Sequence, residues 1–256
     1  MRTRGLGVLA AAVGLALLLV AVPTAVRAED AKEAVPVDKL PAEITEAAAK
    51  LCPGGTITAA EKETDLDDKG QVVEFDYVLK VTLKSGKVHD VELDTTPEGK
   101  VKPSECEAKG PVAPEDLPAT VVEAAKKLCP EGKLTSGERS AKFSGDQVEA
   151  RYEIKIELAG GQTAGVSVNL AGDGTVKETS VEAPVALEEV PKGVVDALKL
   201  ICPERSVVSA QKNTEARGDK VRVEFELKLR TADGKDCGAE VLLGDDGRIR
   251  RIEIKD

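Results

Sequence analysis

Apolar residues recur at i, i+3, i+4 and i+7 in three short segments of this 256-residue chain: Ile44, Ala47, Ala48 and Leu51; Val121, Ala124, Ala125 and Leu128; Val194, Ala197, Leu198 and Ile201. That spacing lays a single apolar stripe along a helix. Pro41, Pro118 and Pro191 stand near each first turn, where a missing N–H costs nothing, while Pro53, Pro130 and Pro203 block continuation. Each helix is therefore about three turns long. Beyond each helix the period falls to two. Val73, Phe75, Tyr77, Leu79, Val81 and Leu83 alternate with polar residues, as do Val148, Ala150, Tyr152, Ile154, Ile156 and Leu158, and then Val221, Val223, Phe225, Leu227 and Leu229. Turn signals at Ser85-Gly86, Gly160-Gly161 and Asp233-Gly234 lead into a further strand. Glu98-Gly99, Asp173-Gly174 and Asp246-Gly247 lead into a last short one. A weaker strand precedes these near 56–63, 133–140 and 206–212.

The three segments align residue by residue. Cys52 and Cys129 are 77 residues apart and Tyr77 and Tyr152 are 75, so only a two-residue difference in the first hairpin separates the copies. The predicted fold class is α+β: three tandem repeats, each one helix packed on a four-stranded antiparallel meander sheet, over 36–106, 114–182 and 187–256. The stretches near 107–115 and 182–189, with Pro111, Pro114 and Pro184, read as semi-rigid linkers.

The first residues set the expected compartment. Arg2 and Arg4 precede an apolar run from Leu6 to Val22, and Val26-Arg27-Ala28 supplies small residues for cleavage between Ala28 and Glu29. Residues 1–28 are therefore expected to be a signal peptide and the protein to be secreted or periplasmic. An uncleaved anchor is the second reading. Cleavage removes three arginines and no acid, taking the net charge from −10 to −13. That balance disfavours nucleic acid and anionic lipid as partners.

Leu40-Pro41-Ala42 with Ala47, Ala48, Lys50 and Pro53-Gly54-Gly55, and Leu117-Pro118-Ala119 with Val121, Ala124, Ala125 and Pro130, together with the hairpins after them, resemble PepSY-like domains. That family is similar in fold to secreted β-lactamase-inhibitor proteins. The resemblance implies an exported, non-enzymatic module, in some relatives proposed to bind or inhibit peptidases, with no catalytic residues to carry over. The chain departs from the family in carrying Cys52, Cys129 and Cys202 where an aromatic commonly precedes the proline.

Five cysteines in an exported chain point to disulfides, and none has the C-x-x-C spacing of a metal or redox site. Cys106 aligns with Val181 and Ile254 on the last strand, and Cys237 aligns with His89 and Ala164. The expected pairs are thus Cys52 with Cys106 and Cys202 with Cys237. Cys129 is left over, as a buried thiol or as the link of a disulfide-joined dimer.

Other constellations carry little chemistry. Asp65, Asp67 and Asp68 match the opening of a calcium loop, but Lys69 takes a ligand position and Asp76, the twelfth residue, lies in a predicted strand, so a solvated turn accounts better for them. His89 is the sole histidine, which removes most metal clusters and Ser-His-Asp hydrolysis and reads best as a packed imidazole. No cofactor motif is present. The expected function is a non-enzymatic protein-binding or peptidase-inhibitor-like module whose partner lies in the cell envelope or outside the cell. The alternative is a structural, envelope-associated spacer crosslinked by disulfides. All the aromatics but Phe143 fall in the inward phase, and the outward phase is charged.

Overall fold

A computed structural model describes residues 32–255. The expected signal segment and its cleavage site at Ala28 and Glu29 lie outside the described residues. The chain runs through β1 (Glu33–Ala34), α1 (Ala42–Leu51), β2 (Thr56–Leu66), β3 (Val72–Thr82), β4 (Val88–Thr95) and β5 (Glu107–Val112). It continues through α2 (Ala119–Leu128), β6 (Lys133–Ser144), β7 (Gln147–Glu157), β8 (Thr163–Leu170) and β9 (Val176–Val185). It ends with α3 (Lys192–Ile201), β10 (Arg205–Arg217), β11 (Lys220–Thr231), β12 (Asp236–Leu243) and β13 (Ile249–Lys255).

All thirteen strands form one antiparallel sheet in chain order. This overturns the expectation of three repeats that each carry a separate four-stranded meander. The junctions decide it: β5 pairs with β6 from Glu107↔Lys142 to Val112↔Gly137, and β9 pairs with β10 from Val185↔Ala210 to Thr179↔Ala216. The expected linkers begin as strands, over 107–112 and 182–185, and end in the short turns Pro114–Asp116 and Leu187–Glu189. Pro111 and Pro184 are compatible with this because β4 pairs with β5 only at 107–109 and β8 with β9 only as far as Glu182. Each proline has a strand partner on one side alone, as an edge position would.

Within this sheet the first long strand bulges at the same place each time, between Ile57 and Ala59, Leu134 and Ser136, and Val207 and Ser209. The hydroxyls of Thr58 and Thr135, the skipped residues, donate to the carbonyls of Lys80 and Lys155 at 3.1 and 3.0 Å. The first two bulges thus regain a cross-strand bond, whereas Val208, skipped in the third, has no hydroxyl to supply one.

The helices lie on one face. Buried cross-strand partners run from Leu79 to Val91, Ala108 and Ala141, and on the same side Ile44, Ala47, Ala48 and Leu51 pack down from α1. Three apolar clusters line this face, and their walls are shared: Phe143, Val148 and Ala150 of β6 and β7 pack against the first, and Leu83 against the second. Phe143, expected on the surface, is therefore half-buried. Among the described residues, no helix lies on the opposite face. Its side chains, including Lys80, Arg151, Glu153, Lys155 and Lys228, are exposed and charged.

The third helix sits less firmly than the first. Leu51 at the end of α1 is 0% exposed, whereas Ile201 at the same place in α3 is 53% exposed and Leu200 beside it 85%. A residue under the helix end accounts for this. Gly55 and Gly132 follow the first two helices so closely against the sheet that a Cβ would lie 2.4 Å from Val81 and 2.2 Å from Ile156. The third copy has Arg205 there, and the space between α3 and the sheet opens into a cavity of about 550 Å³ lined by Leu187, Val195, Leu198, Cys202 and Leu229.

Candidate functional site

The densest cluster of buried polar groups lies where the end of α1 meets β4, β6 and β7. Pro53 stops the helix at Cys52, whose N–H still bonds the Ala48 carbonyl at 2.8 Å, so the thiol is fixed at the helix end and is 2% exposed. His89, on β4 opposite Val81, points to the same spot and is fully buried. Its Nε2 lies 3.1 Å from the Pro111 carbonyl oxygen and its Nδ1 3.5 Å from Cys52 Sγ. A carbonyl only accepts, so Nε2 carries the proton and Nδ1 is left as acceptor for the Cys52 S–H. From β6, Arg139 donates through Nε to the Tyr152 hydroxyl at 3.1 Å and approaches Cys52 Sγ with Nη1 at 3.9 Å.

The electrostatics keep this pair neutral. Burial raises the Cys52 pKa, against an opposing pull from the Arg139 charge. Burial also lowers the His89 pKa, and Arg139 lowers it further. The proton stays on sulfur, so the pair is thiol and imidazole rather than thiolate and imidazolium. A cysteine in this state is not a poised nucleophile.

The remaining expected site residues are dispersed. Cys106 donates to the Lys102 carbonyl at 3.1 Å and lies 4.0 Å from the Asp94 carbonyl, and burial pushes its thiol up to about 11. Cys52 sits by His89 at one end of β4 and Cys106 by Asp94 at the other, five residues or roughly 16 Å away. A disulfide needs Cβ atoms about 4 Å apart, so the expected Cys52–Cys106 pair is not brought together. The physical reason is the turn at Pro103–Glu105, which starts the next strand only after Cys106. None of the five cysteines is bridged in this structure, those of the expected Cys202–Cys237 pair included. Cys129 lies in the second apolar cluster, where burial raises its pKa. Cys202 and Cys237 flank Arg205, whose N–H bonds the Cys202 carbonyl at 3.1 Å and whose guanidinium donates to Cys237 Sγ at 3.0 Å.

The calcium-loop residues divide. Asp67 accepts from the backbone N–H groups of Lys69 and Gln71 at 2.8 Å each, which fixes the turn. Asp65 instead faces Glu74 and Asp76 on β3, with carboxylate oxygens within 4.8 Å of one another, and Asp68 is not in that group. Lys102 pairs with Glu74. The crowding leaves its mark on Asp76, whose pKa rises to about 6, first through burial and then through the charges of Asp94, Asp65, Glu74 and Glu63.

Sequence reasoning missed Arg139. Register supplied a signal: Lys62, Arg139 and Lys212 stand opposite Tyr77, Tyr152 and Phe225, so a cation occupies an inward position each time. No protein-family model, no curated protein and no solved structure matches this chain.

Proposed function

We propose that the protein is an exported, non-catalytic scaffold that binds a protein partner across the uncovered face of its sheet. The observation that carries this reading is the one-sided covering among the described residues: three helices on one face, and on the other a charged surface thirteen strands wide. At about 4.8 Å per strand that surface is roughly 55–60 Å across. The neutral, enclosed Cys52–His89 pair favours a non-catalytic role, and the likeness of the helix motif to PepSY-like modules agrees with it. The leader-like first 28 residues support export.

Photo-crosslinking residues introduced at Arg151 and Glu153 on the open face, and at Lys126 on the exposed side of α2, test the reading in the producing cell. A protein adduct from β7 positions and none from Lys126 is the expected result. Equal adducts from both faces would refute it. The breadth of the sheet favours a spacer as second reading, and absence of adducts from either face would support that one.

A further inference from the structure

We propose that the cavity between Cys52, His89 and Arg139 binds a small oxyanion, of the carboxylate type, on the Arg139 guanidinium. The inference is independent of the open sheet face. Arg139 is 7% exposed and carries five N–H donors. Its acceptors are a phenol oxygen and, at 3.9 Å, a thiol sulfur. Among the described residues it has no carboxylate within ion-pair distance. A buried charge is costly unless paired. Arg139 also lines a cavity of about 250 Å³ with Cys52, His89, Val112, Pro118 and Tyr152. That volume lies below the range of drug-sized ligands, roughly 300–1,000 Å³. It suits an anion of a few heavy atoms.

The charges at the mouth allow selective entry. Lys84, Glu115 and Asp116 also line the cavity, and the Asp116 carboxylate is held by the Ser85 hydroxyl rather than by Arg139. Two carboxylates against one lysine at the rim disfavour multivalent anions, so a monovalent one is the better fit. The opposing wall is neutral, because His89 Nδ1 is already used by the Cys52 thiol. An anion therefore meets Arg139 as its single strong partner.

The only histidine of the chain reports on the site, since the Arg139 charge lowers its pKa while Asp116 and Asp90 act in the opposite sense. The full chain, labelled with ¹⁵N-histidine, gives one imidazole whose titration can be followed by NMR in chloride, acetate and phosphate at constant ionic strength. Acetate is expected to raise the His89 pKa saturably, by about half a unit or more, by cancelling the guanidinium field. Arg139→Gln is expected to raise it without added anion and to abolish the response, and Tyr152→Phe to keep it. A response to acetate alone identifies a carboxylate source, and one to phosphate as well an inorganic oxyanion. No saturable response in the wild type overturns the proposal, as does an equal response in chloride or in Arg139→Gln. Alkylation kinetics of Cys52 supply a further arm: ionisation below pH 7 would make the thiolate the counter-ion and leave no role for an added anion.

Discussion

Asparagine in place of Asp76 should stabilise the protein at neutral pH, and the gain should vanish in acid. Asp76 stands on β3 opposite Glu63 on one side and Asp94 on the other, and its Oδ1 is buried without a hydrogen-bond partner. Its pKa in the folded protein, about 6, exceeds the ordinary 3.8. The folded state thus binds the proton more tightly than the unfolded state, so stability rises as pH falls from about 6 to about 4, and the full penalty of ionisation is present above pH 6. A rise of this size corresponds to about 3 kcal/mol. Solvent screening on the half-open face reduces it to about 1–2 kcal/mol. Urea unfolding of both proteins from pH 4 to 8 measures the difference. Asp76→Asn should lead by about 1–2 kcal/mol at pH 7.5 and converge with the wild type near pH 4. A variant less stable at pH 7.5, or a gain unchanged across the range, would refute the reasoning.

Other consequences can be checked in the same preparations. Peptide mapping of oxidised protein should recover Cys52 and Cys106 on separate, alkylated peptides; a bridge between them would contradict their placement at opposite ends of β4. Gly132→Ala should destabilise by about 1–3 kcal/mol, because its Cβ meets Ile156, whereas Gly193→Ala, with open space around it in α3, should gain up to about 0.5–1 kcal/mol. Leu51→Ala should cost about 2–5 kcal/mol and Ile201→Ala under about 1 kcal/mol, as measured by thermal unfolding, since only the first is enclosed.

The helices were legible because each stripe is short, periodic and closed by a proline: Ala42–Leu51, Ala119–Leu128 and Lys192–Ile201 coincide with the patterned segments. The long alternating strands were legible from their period of two. The continuity of the sheet was not. Side-chain alternation tells which face a residue uses but carries no record of where its backbone N–H and C=O groups go, so Glu107–Val112 and Val176–Val185 gave no sign of reaching the next strand. Pro111 and Pro184 even argued the other way. At the candidate site, Cys52 and His89 stood out as residue types, yet their meeting depends on the end of α1 falling over β4. Alignment placed Cys106 on the last strand without revealing that the turn at Pro103–Glu105 shifts it to the far end.

The ladder between β5 and β6 has a consequence for a severed backbone. A protease cutting at the exposed Glu131, after α2, would leave two fragments still joined through six residue pairs and through α2 resting on β8 and β9. The nicked protein should elute at the size of the intact one and fall apart only under denaturant. The same seam offers a place to divide the gene into halves whose products reassemble when mixed.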